Sequence, residues 1–216
     1  MGVRVLHFGT LDYGYAHSIQ LRLLEGVSSG RVEGAIMFLE HPDVYTAGIH
    51  TSPEDLGNLG EAVRVERGGS VTYHGPGQLV TYYILNLIDL GINVRDLVQK
   101  VEEAVVSTLA RFSIRAEGRL GRETGVWVGS RKICSIGFAL RSSVTFHGSA
   151  LNISTDLSKF GVVNPCGFSP SVMTSMEAET GRKIERGEVE AALERELLAS
   201  LGIGSFRDEY PQGVPL

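Results

Sequence analysis

Two residue types in this chain are placed where they could do chemistry. Cys166 sits in GVVNPCGFSP (161–170), between a stiff Pro165 and a free Gly167. A small thiol that only packs belongs on a strand or helix. Here Asn164-Pro165 starts a turn, so the placement is either incidental or presents the thiol at a loop tip. A thiol attacks as the thiolate, and a nearby cation or helix N-terminus must lower its ordinary pKa of about 8.5. Lys132, in SRKICSIGFAL, is one candidate cation. The chain holds four lysines against sixteen arginines, and this lysine opens an apolar run from Ile133 to Leu140. It reads either as a solvent-facing lysine at a strand edge or as an ammonium drawn partly out of water. Cys134 sits inside the same run and reads as core.

Histidines supply the other candidates. RGGSVTYHGPGQLVTYYI (67–84) has glycines at 68, 69, 75 and 77 that let backbone approach a ligand. Arg67, Thr72, Tyr73, His74 and Gln78 add polar groups, although the stretch also reads as two hairpin turns. HGSALNIS sets His147 beside Gly148, Ser149 and Ala150. SVTYHG (70–75) and SVTFHG (143–148) echo each other in unlike surroundings, as two segments solving one local problem would. No G-x-x-x-x-G-K-[ST] and no G-x-G-x-x-G opening a helix occurs. From these residues alone, cysteine-dependent acyl transfer and a Cys-His hydrolase are both open.

The elements that must position them follow from periodicity. VRVLHFG (3–9) alternates as a strand, and LDYGYAHSIQLRLLEGVSSG has helical spacing ending at Gly30. VEGAIMFLE reads as a strand closed by His41-Pro42. SPEDLGN (52–58) fits a short helix with Ser52 as N-cap and Pro53 in its first position. AVRVER and SVTYHG read as a strand, a tight turn at Gly68-Gly69 and a second strand. QLVTYYILNL (78–87) is rich in β-branched and aromatic residues, as a central strand is. A helix starts at Asn93, with Leu97, Val101, Ala104, Val105, Thr108, Leu109 and Phe112 on one stripe. GVWVGSRKICSIGFAL is a hairpin turning at Gly129-Ser130, SVTFHGSALNIS another strand, and a last amphipathic helix spans 187–200. The order predicts an α+β fold: a mostly antiparallel mixed sheet flanked by helices. No linker or composition shift divides the chain, so a single domain over 1–216 is expected.

The bulk numbers agree with a soluble enzyme-sized domain. The chain has 216 residues, 43% apolar and 21% charged, with a net charge of -5. No basic run appears, which argues against nucleic acid or anionic membrane as partner. No stretch approaches the roughly 20 apolar residues of a membrane span. The start, MGVRVL, reads as a strand rather than a signal or a myristoylation site. A cytoplasmic protein with two free thiols is expected. Without H-x-x-H or C-x-x-C spacing, no metal site is expected.

Taken together, RGGSVTYHGPGQLVTYYI, RKICSIGFAL, VTFHGSALNIS and VVNPCGFSPSVMTSM closely resemble the octanoyltransferases of lipoate biosynthesis. The match runs from HPDVYTAG near residue 41 to MTSM near 176. The resemblance implies the fold of lipoate- and biotin-protein ligases and, more distantly, of the class II aminoacyl-tRNA synthetase core. It implies that an octanoyl group moves from octanoyl-acyl carrier protein to Cys166 as a thioester. From there it passes to a lysine of lipoyl domains in 2-oxo-acid dehydrogenase complexes and glycine cleavage H protein. Lys132 matches the family's lysine that lowers the thiol's pKa and moves protons. Arg67, Gly68, Gly69, Ser70, Val71, Thr72, Tyr73 and His74, then Ser135, Ile136 and Gly137, then Gly148, Ser149 and Ala150 match its substrate-binding stretches. Ile136, Phe138 and Tyr73 are candidates to line the acyl slot. No cofactor or metal is implied, and a monomer is expected. Two positions depart from the family: His50, where an arginine-bearing stretch is more usual, and Ser149, where a bulkier residue is common. An ATP-dependent ligase on the same fold would need no nucleophilic cysteine, and in a non-catalytic binding module Cys166 and Lys132 would be replaceable. Arg22, Arg64, Arg67, Arg131 and Arg141 are candidates for a basic docking patch.

Overall fold

A computed structural model describes residues 2–57, 59–162 and 172–211, so Cys166 lies outside the described residues. The architecture is built around an eight-stranded mixed sheet. At one edge, β1 (Gly2–Thr10) pairs in parallel with β2 (Gly34–Glu40) and with β11 (Ser205–Glu209). From β2 the pairing is antiparallel through β6 (Gln78–Leu85), β10 (Val144–Asn152), β9 (Arg131–Arg141), β8 (Gly125–Val128) and β7 (Glu117–Arg119). The α+β expectation and its mostly antiparallel sheet therefore hold.

Strand β6 shows why the sheet needs helices on both faces. All eight of its residues are buried. Leu79, Tyr83 and Leu85 point into one core, and Val80, Tyr82 and Ile84 into the other, as a period of two requires. Helix α1 (Tyr13–Ser28), capped by the Asp12 side chain on the Tyr15 amide, covers the second with Ala16, Ile19, Leu23 and Val27. Helices α3 (Val94–Arg111) and α5 (Arg186–Leu201) cover the first with Leu97, Val101, Val105, Leu109, Val189, Leu193 and Leu197. Each of the valine, leucine and isoleucine side chains among them contributes roughly 1.5–3 kcal/mol by leaving water. Asn93 and Asp96 form a capping box at the start of α3. Two short helices, α2 (Leu87–Leu90) and α4 (Met176–Thr180), complete the set.

A second, three-stranded sheet corrects one expectation. Gly68-Gly69 does not close a hairpin, because β4 (Val63–Arg64) and β5 (Val71–His74) do not pair: β3 (Val44–Ala47) lies between them. The guanidinium of Arg67 replaces the bonds of a tight turn, donating to carbonyls of Gly68, Ser70 and Thr46 at 3.1, 2.8 and 2.9 Å. The glycine segment instead crosses onto β9, where the Gly68 amide donates to the Phe138 carbonyl at 2.9 Å. The short helix expected at 52–58 is a single 3-10 turn, Glu54–Leu56. Ser52 and Asp55 cap it reciprocally through each other's amides. Among the described residues, no helix is long and apolar enough to cross a membrane.

Candidate active site

Where β5, β9 and β10 meet the start of α3, they enclose a cavity of about 600 Å³, within the usual span of roughly 300–1,000 Å³ for small-molecule sites. Lys132 lines it, together with Arg67 to Thr72, His74, Ser135 to Gly137 and Gly148 to Ala150. Segments far apart in sequence thus converge on one space. Tyr73 is the exception among the expected residues. Alternation along β5 turns it away from the face of Thr72 and His74, onto Phe160 and Met173, with its hydroxyl donating to Asp43 at 2.7 Å. Of the expected acyl-slot residues, Ile136 and Phe138 line the cavity, joined by Val71, Val80, Val94 and Val98. His50 and Ser149, the two family departures, both reach this wall. The Ser149 hydroxyl is bonded to the Tyr83 hydroxyl at 2.9 Å.

At Gly148, β10 approaches β6 too closely for any side chain. A Cβ there would fall 2.1 Å from the Thr81 carbonyl oxygen and 2.5 Å from the Tyr83 ring. Just before it, His147 takes φ +60 and donates its amide to Gln20 Oε1 at 2.8 Å. This irregularity in a buried strand leaves the imidazole against His17 of α1. His147 stacks on His17 at 5.4 Å and meets Tyr82 edge-on, while His74 stacks on Tyr13. The two SVT(Y/F)HG segments lie in different sheets, yet each delivers its histidine to this cavity.

Burial sets the charge state of both rings. It pushes His74 down to about 3, helped by repulsion from His41 and Arg67, and His147 down to about 4, helped by His17. Neutral imidazoles with such low basicity are poor proton acceptors at neutral pH, which weakens the hydrolase alternative. His74 instead anchors a hydrogen-bonded chain. Its Nδ1 meets Gln78 Oε1 at 2.7 Å, and Gln78 donates to Asn152 Oδ1 at 2.9 Å. Asn152 in turn donates to the Thr174 carbonyl at 2.9 Å, and the Thr174 amide to the Lys132 carbonyl at 2.9 Å. All four motif segments are tied together by these bonds.

Lys132 is withdrawn from solvent, at 9% exposure, and is not a surface-facing edge lysine. It opens β9 opposite Trp127, at a bulge in the β8 pairing, and its ammonium lies 5.5 Å from the Trp127 ring centroid, within cation–π range. Met173, a few residues beyond Cys166 in sequence, bridges to it in parallel. The ammonium passes Gly125, whose φ of +137 suits glycine; a Cβ there would meet Lys132 Cε at 2.6 Å and Nζ at 3.3 Å. The Gly125 amide donates to Glu102 Oε1 at 3.0 Å. Burial raises the Glu102 carboxyl, while the Gly125 amide and the Lys132 charge pull it back. Cys134 is fully buried in the core, and burial pushes its thiol up to about 12 despite Lys132 nearby. It is therefore no nucleophile.

Sequence reasoning missed Tyr13, Tyr82, Val94, Val98 and Thr124, which also line the cavity. Tyr82 sits at the apolar end of the 67–84 stretch and reads there as strand core, while Tyr13, Val94, Val98 and Thr124 lie outside the motifs. Of the five arginines considered for docking, Arg67 holds backbone carbonyls, Arg131 pairs with Glu179 at 2.8 Å, and Arg141 lies 3.9 Å from Glu66.

Residues 12–198 match the family model of the lipoyl protein ligase A/B catalytic domain. A probable octanoyltransferase 2 of Picrophilus torridus is 46% identical over 183 residues, covering 85% of this chain and 73% of the relative. An octanoyltransferase of Bacteroides fragilis is 44% identical over 182 residues, covering 78% of this chain and 82% of the relative. Among solved structures, a lipoate-protein ligase A bound with ATP superposes with a TM-score of 0.76 at 19% identity, covering 98% of this chain and 90% of the other. The biotin protein ligase of Aquifex aeolicus reaches 0.53 at 12% identity, covering 94% of this chain and 69% of the other. These two likenesses concern the fold alone.

Proposed function

Because the chain belongs to the lipoyl protein ligase A/B catalytic-domain family, we propose that it is an octanoyltransferase that loads lipoyl domains through a thioester on Cys166. The observation that carries this reading is the convergence of Lys132 and the three motif segments on one apolar-walled cavity. Identity of 44–46% to octanoyltransferases supports the acyl group.

In the first half-reaction the Cys166 thiolate attacks the carbonyl carbon of an octanoyl thioester borne by acyl carrier protein. The carrier's sulfur leaves and takes a proton from the Lys132 ammonium. In the second, the amine of a lipoyl-domain lysine attacks the Cys166 thioester and gives a proton to the Lys132 amine. The Cys166 thiolate departs and an amide forms. Thioester exchange is nearly balanced and the amide is the more stable product, so no ATP enters. A buried ammonium suits this role, since it stabilises a neighbouring thiolate and exchanges one proton per half-reaction. Amides of the glycine segment are candidates for the oxyanion, a contribution of roughly 3–4 kcal/mol per donor. Val71, Val80, Ile136 and Phe138 offer the acyl chain a dry wall. Cytoplasmic residence and a monomeric state belong to the same proposal.

The test is transfer without nucleotide. Octanoyl-acyl carrier protein and an isolated lipoyl domain, mixed with this protein and no ATP, should yield a lipoyl domain heavier by one octanoyl group. Transfer of free octanoate only when ATP is added would replace the transferase by a ligase.

A further inference from the structure

Away from this cavity, β1, α5 and β11 meet around His7. Its Nδ1 lies 2.7 Å from Glu190 Oε1 and is the donor of that bond, since the carboxylate accepts. Glu190 is held in turn by Arg186 at 3.0 Å, whose guanidinium also donates to the Phe8 carbonyl at 2.9 Å. A proton fixed on Nδ1 leaves the other nitrogen of a neutral ring as a lone pair. That Nε2 is buried, in a side chain only 7% exposed, and has no hydrogen-bond partner among the described residues. It faces Glu194 Oε2 at 3.5 Å and Asp208 Oδ1 at 3.7 Å. A lone pair turned toward two carboxylates is repulsive, and a cation between the three atoms reverses the sign.

We propose that His7, Glu194 and Asp208 form a site for a divalent transition metal such as zinc, with Glu190 orienting the imidazole from behind. The three ligand atoms all lie within 4.8 Å of one another. Four-coordinate zinc with bonds of about 2.0–2.1 Å sets its ligands about 3.3–3.4 Å apart, so the nitrogen–oxygen separations need to close by only a few tenths of an ångström. A carboxylate on the far nitrogen is the usual support of a metal-bound histidine. One imidazole with two carboxylates suits zinc, manganese or ferrous iron better than calcium, which takes oxygen ligands. The Tyr210 ring stacks on His7 at 4.5 Å, and the adjoining cavity of about 500 Å³ leaves room for water as a fourth ligand. The competing occupant is a second proton on His7, but 3.5 and 3.7 Å are long for charge-assisted hydrogen bonds of about 2.7–2.9 Å. Short-range sequence spacing could not show this site, because its ligands come from three separate elements. Bound metal would tie the edge strand β11 to α5 through β1.

Calorimetric titration of the metal-free full chain with zinc chloride at neutral pH should show one site of micromolar affinity or better. At a hundred-fold excess over the dissociation constant, the melting midpoint should rise by about 5–10 °C. Glu190→Gln should weaken binding by about 10–100-fold, and Glu194→Gln or Asp208→Asn by more, with the thermal rise lost. Cobalt(II) bound in place of zinc should lack the thiolate charge-transfer absorption that a cysteine ligand gives. Absence of zinc binding in the millimolar range, or binding unchanged in both Glu194→Gln and Asp208→Asn, would overturn the assignment.

Discussion

Gly125→Ala separates the placement of Lys132 from its chemistry. The added Cβ would lie 2.4 Å from the Cys134 carbonyl oxygen and 2.6 Å from Lys132 Cε. The carbonyl belongs to β9, paired to β8 through Val126 and Cys134, and cannot yield without opening the ladder. Lysine is the flexible partner, so its chain must retreat by about 1 Å to reach ordinary contact. A displacement of that size in a reacting group costs about 100-fold in rate. An alanine at φ +137 adds strain of roughly 1–3 kcal/mol, and overpacking about 1–3 kcal/mol more. For a chain of this length the midpoint should fall by about 5–20 °C. Gly129→Ala is the control: its φ is +58 with nothing within 4 Å of the new methyl. It adds a milder left-handed strain without touching Lys132. Thermal melts and octanoyl transfer, assayed well below both midpoints, give the comparison. Transfer by Gly125→Ala within threefold of Gly129→Ala would refute the argument that Gly125 clears the path of the ammonium.

Three further outcomes follow from the same geometry. Lys132→Met should move the pH profile of Cys166 alkylation by iodoacetamide upward and slow acylation; an unmoved profile would show that another charge tunes the thiol. Cys134→Ala should keep its transfer rate, because that thiol is buried in the core; denaturant melts should show a loss of about 1–2 kcal/mol. His147 has a native value near 4 against 6.5 unfolded, so the folded state disfavours its protonation. Its contribution is fully present above pH 6.5 and is lost as pH falls toward 4, by about 3 kcal/mol at most. His147→Asn, which tolerates the positive φ, should lose less stability over that interval in urea melts; an identical loss would contradict the burial argument.

The fold was largely legible where burial imposes a period. QLVTYYIL, rich in β-branched and aromatic residues, announced a central strand, and the apolar stripe after Asn93 announced α3. Strands β3, β7 and β11 were not legible. They are short and partly exposed, so neither face demands a pattern. The turn at Gly68-Gly69 was misjudged because Arg67, a side chain, does the work of ladder bonds. The motif residues around the cavity could be gathered from sequence, since glycines and histidines mark close backbone approach. Tyr73 could not be told from its neighbours without the strand's facing. Glu102 and Tyr13 reach the site from helices α3 and α1, and Tyr82 from a core strand, where their types look structural.

The central claim is that Cys166 carries the acyl group. Incubated with octanoyl-acyl carrier protein and no ATP, the intact protein should gain the mass of one octanoyl group. That gain should vanish with hydroxylamine and be absent from Cys166→Ser. An adduct that persists in Cys166→Ser, or no adduct in a preparation that still loads lipoyl domains, would contradict it.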